Sequence, residues 1–180
     1  YSGRNPLGDC LAERAIKLIG EHLVTAVLEP QNLAARSGMA LAATLAGLAF
    51  SNCGIAVVHA LEYPLGGTLH CSHGAGNGLL LPYVMRYNLP VRSEALAEIA
   101  AWLGVDTSGM DTLQAAEQSI VQVESLRRQI GIPERIRDIG GTPEQLPEFA
   151  SKSFAIDRLM LLNPRRPTEA ELLEILQSAL

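Results

Sequence analysis

Residues 38 to 61, GMALAATLAGLAFSNCGIAVVHAL, carry no formal charge from end to end. An uncharged apolar run of that length either spans a bilayer as one helix or folds away inside a protein. Ser51, Asn52, Cys53 and Gly54 interrupt the run, and His59 sits near its end. No Trp/Tyr belt and no cluster of Lys and Arg marks a membrane boundary. The run is therefore expected to form two consecutive buried helices with a tight joint at residues 51 to 54, and no membrane partner is expected.

The segments around it read as helix. Asn5-Pro6 pairs a polar cap with a proline at the first helical position, where no amide donor is lost. Apolar residues then recur at helical spacing through Leu7, Leu11, Ala15 and Leu18 and through Ile16, Ile19, Leu23 and Val27, until Pro30 stops them. His22 lies on this helix with no other candidate ligand near it, and reads as a surface or interface residue. Residues 32 to 50 are apolar on nearly all sides, as expected of a central core helix. Gly38, Ala42 and Ala46 form a small-residue stripe that suits close packing. A third helix is expected from Ile55 to Leu61, with His59 at its C-terminal end and Pro64 as its stop.

Further on, residues 79 to 87 predict a helix that tolerates Pro82 near its first turn, and residues 91 to 103 and 112 to 130 are amphipathic. Thr112 is the expected cap of the latter, and Gly131-Ile132-Pro133 closes it. Thr142-Pro143-Glu144 and Thr168 with Glu171 start two more helices by capping logic. No run of alternating β-branched residues occurs, and no Asn-Gly or Asp-Gly pair lies between apolar alternations as a hairpin would require. The predicted fold is one all-α domain over residues 1 to 180, a helical bundle of about eight or nine helices by these start and stop signals.

Hydrophobic residues make up 48% of the chain and charged residues only 18%, which suggests extra apolar surface covered by another domain or subunit. A net charge of −5 argues against a nucleic-acid partner, because phosphate neutralisation needs clustered cations, and Arg165-Arg166 is too short a cluster. Cys10, Cys53 and Cys71 are an odd set without framework spacing, so reduced thiols in a cytoplasmic protein are expected. The first residue is Tyr1 rather than Met, so a processed, trimmed or partial chain is expected.

Chemistry concentrates between residues 59 and 78, which hold His59, His70, His73, Cys71 and five glycines. His59 and His73 read equally as metal ligands or as satisfied core histidines, since neutral imidazole suits both zinc and iron. A self-sufficient zinc site of His59, His70, Cys71 and His73 is a further alternative. Gly74, Gly76 and Gly78 match neither a dinucleotide fingerprint nor a P-loop, and predict a tight entry into the next helix. Glu62 reads as a solvated carboxylate at a helix end.

The segments HALEYPLGG at 59 to 67 and SHGAGNGLLLPYVMRYN at 72 to 88 resemble the signature of the iron-containing, or group III, alcohol dehydrogenases. That family's pattern is roughly G-x-x-H-x-x-x-H-P-L-G, then P-H-G-x-x-N and L-P-x-V-M-x-x-N. Residues 2 to 7, 38 to 40 and 49 to 52 fit as well, as do Ala155, Asp157 and residues 163 to 167.

The resemblance implies the C-terminal helical, metal-binding domain of a two-domain, dehydroquinate-synthase-like dehydrogenase, the NAD(P)-binding α/β domain lying outside this chain. It implies Fe²⁺ or Zn²⁺ and NAD or NADP as cofactors, a small alcohol or carbonyl as substrate, and a homo-oligomer. Metal ligands are carried over to His59 and His73, the other two being a D-x-x-x-H pair expected upstream of Tyr1. Tyr63 is implied as a catalytic and cofactor-binding residue, at a position where many members carry a second His. Tyrosine does not relay a proton at neutral pH as imidazole does, and Tyr63 is similar to the hydroxyacid–oxoacid transhydrogenase branch. That branch and the maleylacetate reductases are the alternatives within the family. A non-enzymatic helical interaction module with structural histidines is the alternative outside it.

Overall fold

A computed structural model describes residues 3–180; the part of the opening motif contributed by Ser2 lies outside the described residues. These contain eight α-helices, two short 3-10 turns and no strand, as the sequence predicts. They form two compact units, one of residues 3 to 54 with 92 to 130, the other of residues 55 to 91 with 131 to 180.

In the first unit, α1 (Pro6–Leu28) starts as expected: the Asn5 side chain accepts from the Gly8 amide at 2.9 Å. Helix α2 (Leu33–Cys53) lies along it. The sequence predicts a core helix for α2, yet it buries only the narrow stripe of Ala35, Ala42, Ala49 and Cys53 and leaves Leu33 (78%), Leu41, Leu48 and Phe50 exposed. The small residues face the close approach, and the bulkier ones are left on the outer side. His22, read as a surface or interface residue, is partly exposed, and its ring fills the space where a Cβ on Gly38 would stand, between α1 and α2.

Helix α2 is long and apolar enough to cross a membrane by length and composition. The uncharged run nevertheless divides where expected, at Gly54, whose φ of 82° L-residues rarely adopt.

The second unit opens with α3 (Val57–Leu69), which continues through Pro64 instead of ending there. Proline costs roughly 3 kcal/mol in a helix interior. Leu61 and Leu65, on either side of it, are both fully buried, and burying a leucine stabilises by about 1.5–3 kcal/mol each. Helix α4 (His73–Trp102) begins six residues earlier than the predicted Leu79 and absorbs the glycine-rich run. It also joins the two helices expected at 79 to 87 and 91 to 103, interrupted by one non-helical residue, Arg92, two positions after Pro90. The boundary between the two units falls at that residue.

Helix α5 (Thr112–Gln129), in the first unit, is capped by Asp111 rather than Thr112. The Asp111 carboxylate accepts from the Gln114 amide at 2.8 Å and Gln114 reciprocates at 3.0 Å. The second unit then adds 3-10 turns at Ile136–Ile139 and Pro143–Gln145, followed by α6 (Leu146–Phe154), α7 (Asp157–Leu162) and α8 (Glu169–Ser178). The Thr168–Glu171 capping box of α8 forms as predicted. Leu61, Leu65, Leu80, Phe149, Met160 and Leu176 interlock in the core of this unit.

Phe149 is 1% exposed at the centre of that core. Phe149→Ala is expected to destabilise the protein by about 3–5 kcal/mol, read as a lowered urea midpoint with an unchanged m-value.

Candidate metal centre

Because α3 runs through Pro64, His59, Glu62, Tyr63 and Gly66 fall at i, i+3, i+4 and i+7 and share one face. His59 is therefore in the first turn of α3, its amide donating to the Ala56 carbonyl at 3.1 Å, and not at the C-terminal end the sequence suggests. His70 ends the helix in a left-handed conformation (φ 54°, ψ 30°) and is exposed. Histidine is one of the few side chains that tolerates this region. The chain reverses there, and Ser72 starts α4: its carbonyl accepts from the Gly76 amide at 3.0 Å and its hydroxyl from Ala75 at 3.4 Å. His73, the first residue of α4, is thereby brought back against α3.

The two sequence-predicted ligands do meet. The His59 and His73 rings lie 5.4 Å apart between centroids, inclined by 51°. The Tyr63 ring stacks on His73 at 6.0 Å and 17°, and is 40% exposed. His70 and Cys71 do not join them in a four-residue zinc site: among the described residues no group of three or more His, Cys, Asp or Glu is arranged to hold a metal. Burial, and next the charge of Glu62, raise the Cys71 thiol above its ordinary value, which disfavours the thiolate a metal requires.

Glu62 is the residue that sequence reasoning misplaced. It is 3% exposed, and its Oε2 lies 2.5 Å from His73 Nδ1. A Cβ on Gly66 would collide with its carboxylate, and one on Gly76 would stand 2.8 Å from its Cγ. The two glycines thus open a slot between α3 and α4 that the Glu62 side chain fills. The signal was present in the sequence as Glu62 and Gly66 four apart, but it is readable only once Pro64 is known not to end the helix.

Asn77, one turn into α4, donates to the His73 carbonyl at 2.8 Å. Its Nδ2 is nearly equidistant from the two ring nitrogens, at 3.3 and 3.2 Å, so it lies against the ring rather than along either lone pair. Its Oδ1 is buried without a hydrogen-bond partner, a free acceptor beside the histidines.

Burial, and secondarily His73, hold the His59 pKa below the ordinary histidine value, favouring the neutral imidazole that ligation needs. Two adjacent imidazoles, one held neutral, fit a borderline metal such as Fe²⁺ or Zn²⁺ as part of its coordination shell.

Two imidazoles and a tyrosine thus stand together on two neighbouring helices. The chain belongs to the Fe-containing alcohol dehydrogenase family: the model of that family's C-terminal region matches residues 2–180. The 1,3-propanediol dehydrogenase of Citrobacter freundii is 41% identical over 97% of this chain and 45% of its own length. The NAD-dependent methanol dehydrogenase of Bacillus methanolicus is 36% identical over 99% of this chain and 46% of its own. The crystal structure of a 1,3-propanediol oxidoreductase superposes with a TM-score of 0.95 at 40% identity, over 98% of this chain and 46% of that one. The chain therefore spans about half the length of the relatives it matches.

Adjacent glycines separate the packing of Glu62 from helix propensity. Gly67 has nothing within 4 Å of its missing Cβ, so Gly67→Ala is expected to stabilise by about 0.5–1 kcal/mol. Gly66→Ala must displace the Glu62 carboxylate and is expected to cost about 1–3 kcal/mol; thermal denaturation of the pair checks both signs.

A second expectation concerns pH. A histidine pKa lowered in the folded state makes the unfolded chain bind more protons, so the His59 contribution is present above about pH 6.5 and lost as pH falls towards the folded value. An NMR titration of the metal-free protein should find His59 titrating below the model-peptide value and moving upward in His73→Ala.

Proposed function

We propose that this chain is the metal-holding helical part of a metal- and NAD(P)-dependent alcohol dehydrogenase, which interconverts an alcohol with its aldehyde or ketone. The observation that carries the reading is the 5.4 Å approach of His59 and His73, from separate helices, with Tyr63 stacked on one of them. His59 and His73 hold Fe²⁺ or Zn²⁺ together with ligands from the polypeptide upstream. That polypeptide also supplies the nucleotide-binding domain for NAD or NADP. When bound, the metal would supply Lewis-acid polarisation of a substrate oxygen, and the nucleotide would supply the hydride donor or acceptor.

The side chains of this segment do the positioning. His59, kept neutral by burial, presents a lone pair at neutral pH. His73 is held from one side by Glu62 and from the other by Asn77. The Tyr63 ring is stacked on His73 and partly exposed; in the role that the family resemblance implies for it, beside the nicotinamide, it would offer a hydroxyl donor instead of an imidazole. That substitution is the observation favouring a second reading, a hydroxyacid–oxoacid transhydrogenase-like member. A homo-oligomer in the cytoplasm completes the assignment; the three free cysteines and the exposed apolar face of α2 agree with it.

In the full-length protein, His59→Ala and His73→Ala are each expected to weaken zinc binding more than the roughly 10–100-fold typical of removing a residue that only supports a ligand. Competition with a chromogenic chelator measures this. Unchanged affinity in both variants would leave the helical interaction module as the better reading. The 180-residue chain alone is expected to show no dehydrogenase activity, and turnover by it with no other polypeptide present would refute the division of the site.

A further inference from the structure

Glu62 enters the metal-holding reading only as a contact of His73, yet the fold makes unusual provision for it. A buried carboxylate is costly unless it is hydrogen-bonded or paired, and removing its only compensation costs several kcal/mol. Here the carboxylate is 3% exposed, the slot that receives it is opened by Gly66 and Gly76, and the partner it reaches is His73 Nδ1 at 2.5 Å. The His73 side chain is itself 57% exposed, at the first residue of a helix, where end fraying and free rotation about χ1 and χ2 would otherwise leave the ring unfixed. A buried, enclosed group thus holds a more exposed one.

We propose that Glu62 is a positioning residue for the metal centre, its carboxylate accepting the Nδ1–H of His73 so that the ring is locked with its Nε2 lone pair free for the metal. The inference rests on the metal-holding reading of His73. A ligating imidazole ordinarily donates its other N–H to a carboxylate or a carbonyl, which sets both tautomer and ring orientation and raises ligand basicity. Glu62 meets the geometric requirement through a contact set by helix packing. It lies three residues from His59 on the same face of α3, so a single helix carries one ligand and the clamp for the other. The Asn77 amide, packed against the ring at similar distances from both its nitrogens and bonded to the His73 carbonyl, holds the second degree of freedom.

The test uses full-length protein with zinc as the probe, comparing wild type with Glu62→Ala, Glu62→Gln and His73→Ala. Long-range ¹H–¹⁵N spectra of the metal-free proteins report the His73 tautomer, and chelator competition reports the zinc dissociation constant. The expected results are an Nδ1–H tautomer in wild type and in Glu62→Gln, which keeps an acceptor, and its loss in Glu62→Ala together with about 10–100-fold weaker zinc binding.

An unchanged tautomer in Glu62→Ala would overturn the proposal, even with lowered stability, because a merely structural carboxylate would behave that way. Loss of zinc affinity as large in Glu62→Gln as in Glu62→Ala would also overturn it, by marking Glu62 as a direct ligand. If His73→Ala leaves zinc binding unchanged, the metal reading of His73 fails and the positioning role with it. The tautomer spectra would still report whether Glu62 sets the His73 proton, so the two failures are distinguishable.

Discussion

The site depends on α3 keeping its course through Pro64. Proline removes the amide that would bond to the Ala60 carbonyl, and its ring crowds the preceding turn, a combined cost of roughly 3 kcal/mol. Leu61 and Leu65 are fully buried on either side of it, together with Ala60 and Val57 on the same helix. Their burial against α6, α7 and the start of α4 exceeds the local penalty. Were α3 to end at Pro64, Gly66 would leave the face that carries His59, Glu62 and Tyr63, and the Glu62 slot would close.

From that constraint the rest of the centre follows in steps. The left-handed conformation at His70 ends α3 and reverses the chain within the three residues 70 to 72. Ser72 starts α4 at once, so His73 returns to the exposed face of α3 beside His59 and Tyr63. The glycines that looked like an anion loop allow α4 to approach α3 closely enough for a glutamate side chain to fit between them. The electrostatics are consistent with this packing. Burial keeps His59 towards its neutral form and Cys71 towards its thiol, leaving imidazole rather than thiolate as the available donor.

Helix number and the absence of strands among the described residues, the caps at Asn5 and Thr168 and the division at Gly54 were all legible, because each is set by interactions within a few residues. His59 and His73 were legible as a pair through the family pattern. Their approach was not, because it requires the turn at His70 and the uninterrupted α3. Where local readings failed, longer-range packing was responsible at Pro64 and in α2, and a second local capping box at Asp111. Pro64 was outweighed by buried leucines, and Asp111 capped α5 in preference to Thr112 because Gln114 reciprocates. Helix α2 turned only its alanine stripe inward, although its composition suggested burial on all sides.

By itself, then, the sequence determined an all-helical fold, the family and the two imidazoles, since these depend on residue type, spacing and local hydrogen bonding. Only the tertiary structure decided where the glutamate goes. A carboxylate four residues before a glycine reads as a solvated helix end until a second helix, itself opened by Gly76, closes over it. Burial then leaves the Glu62 carboxylate in need of a hydrogen-bond partner, which the half-exposed His73 supplies through Nδ1.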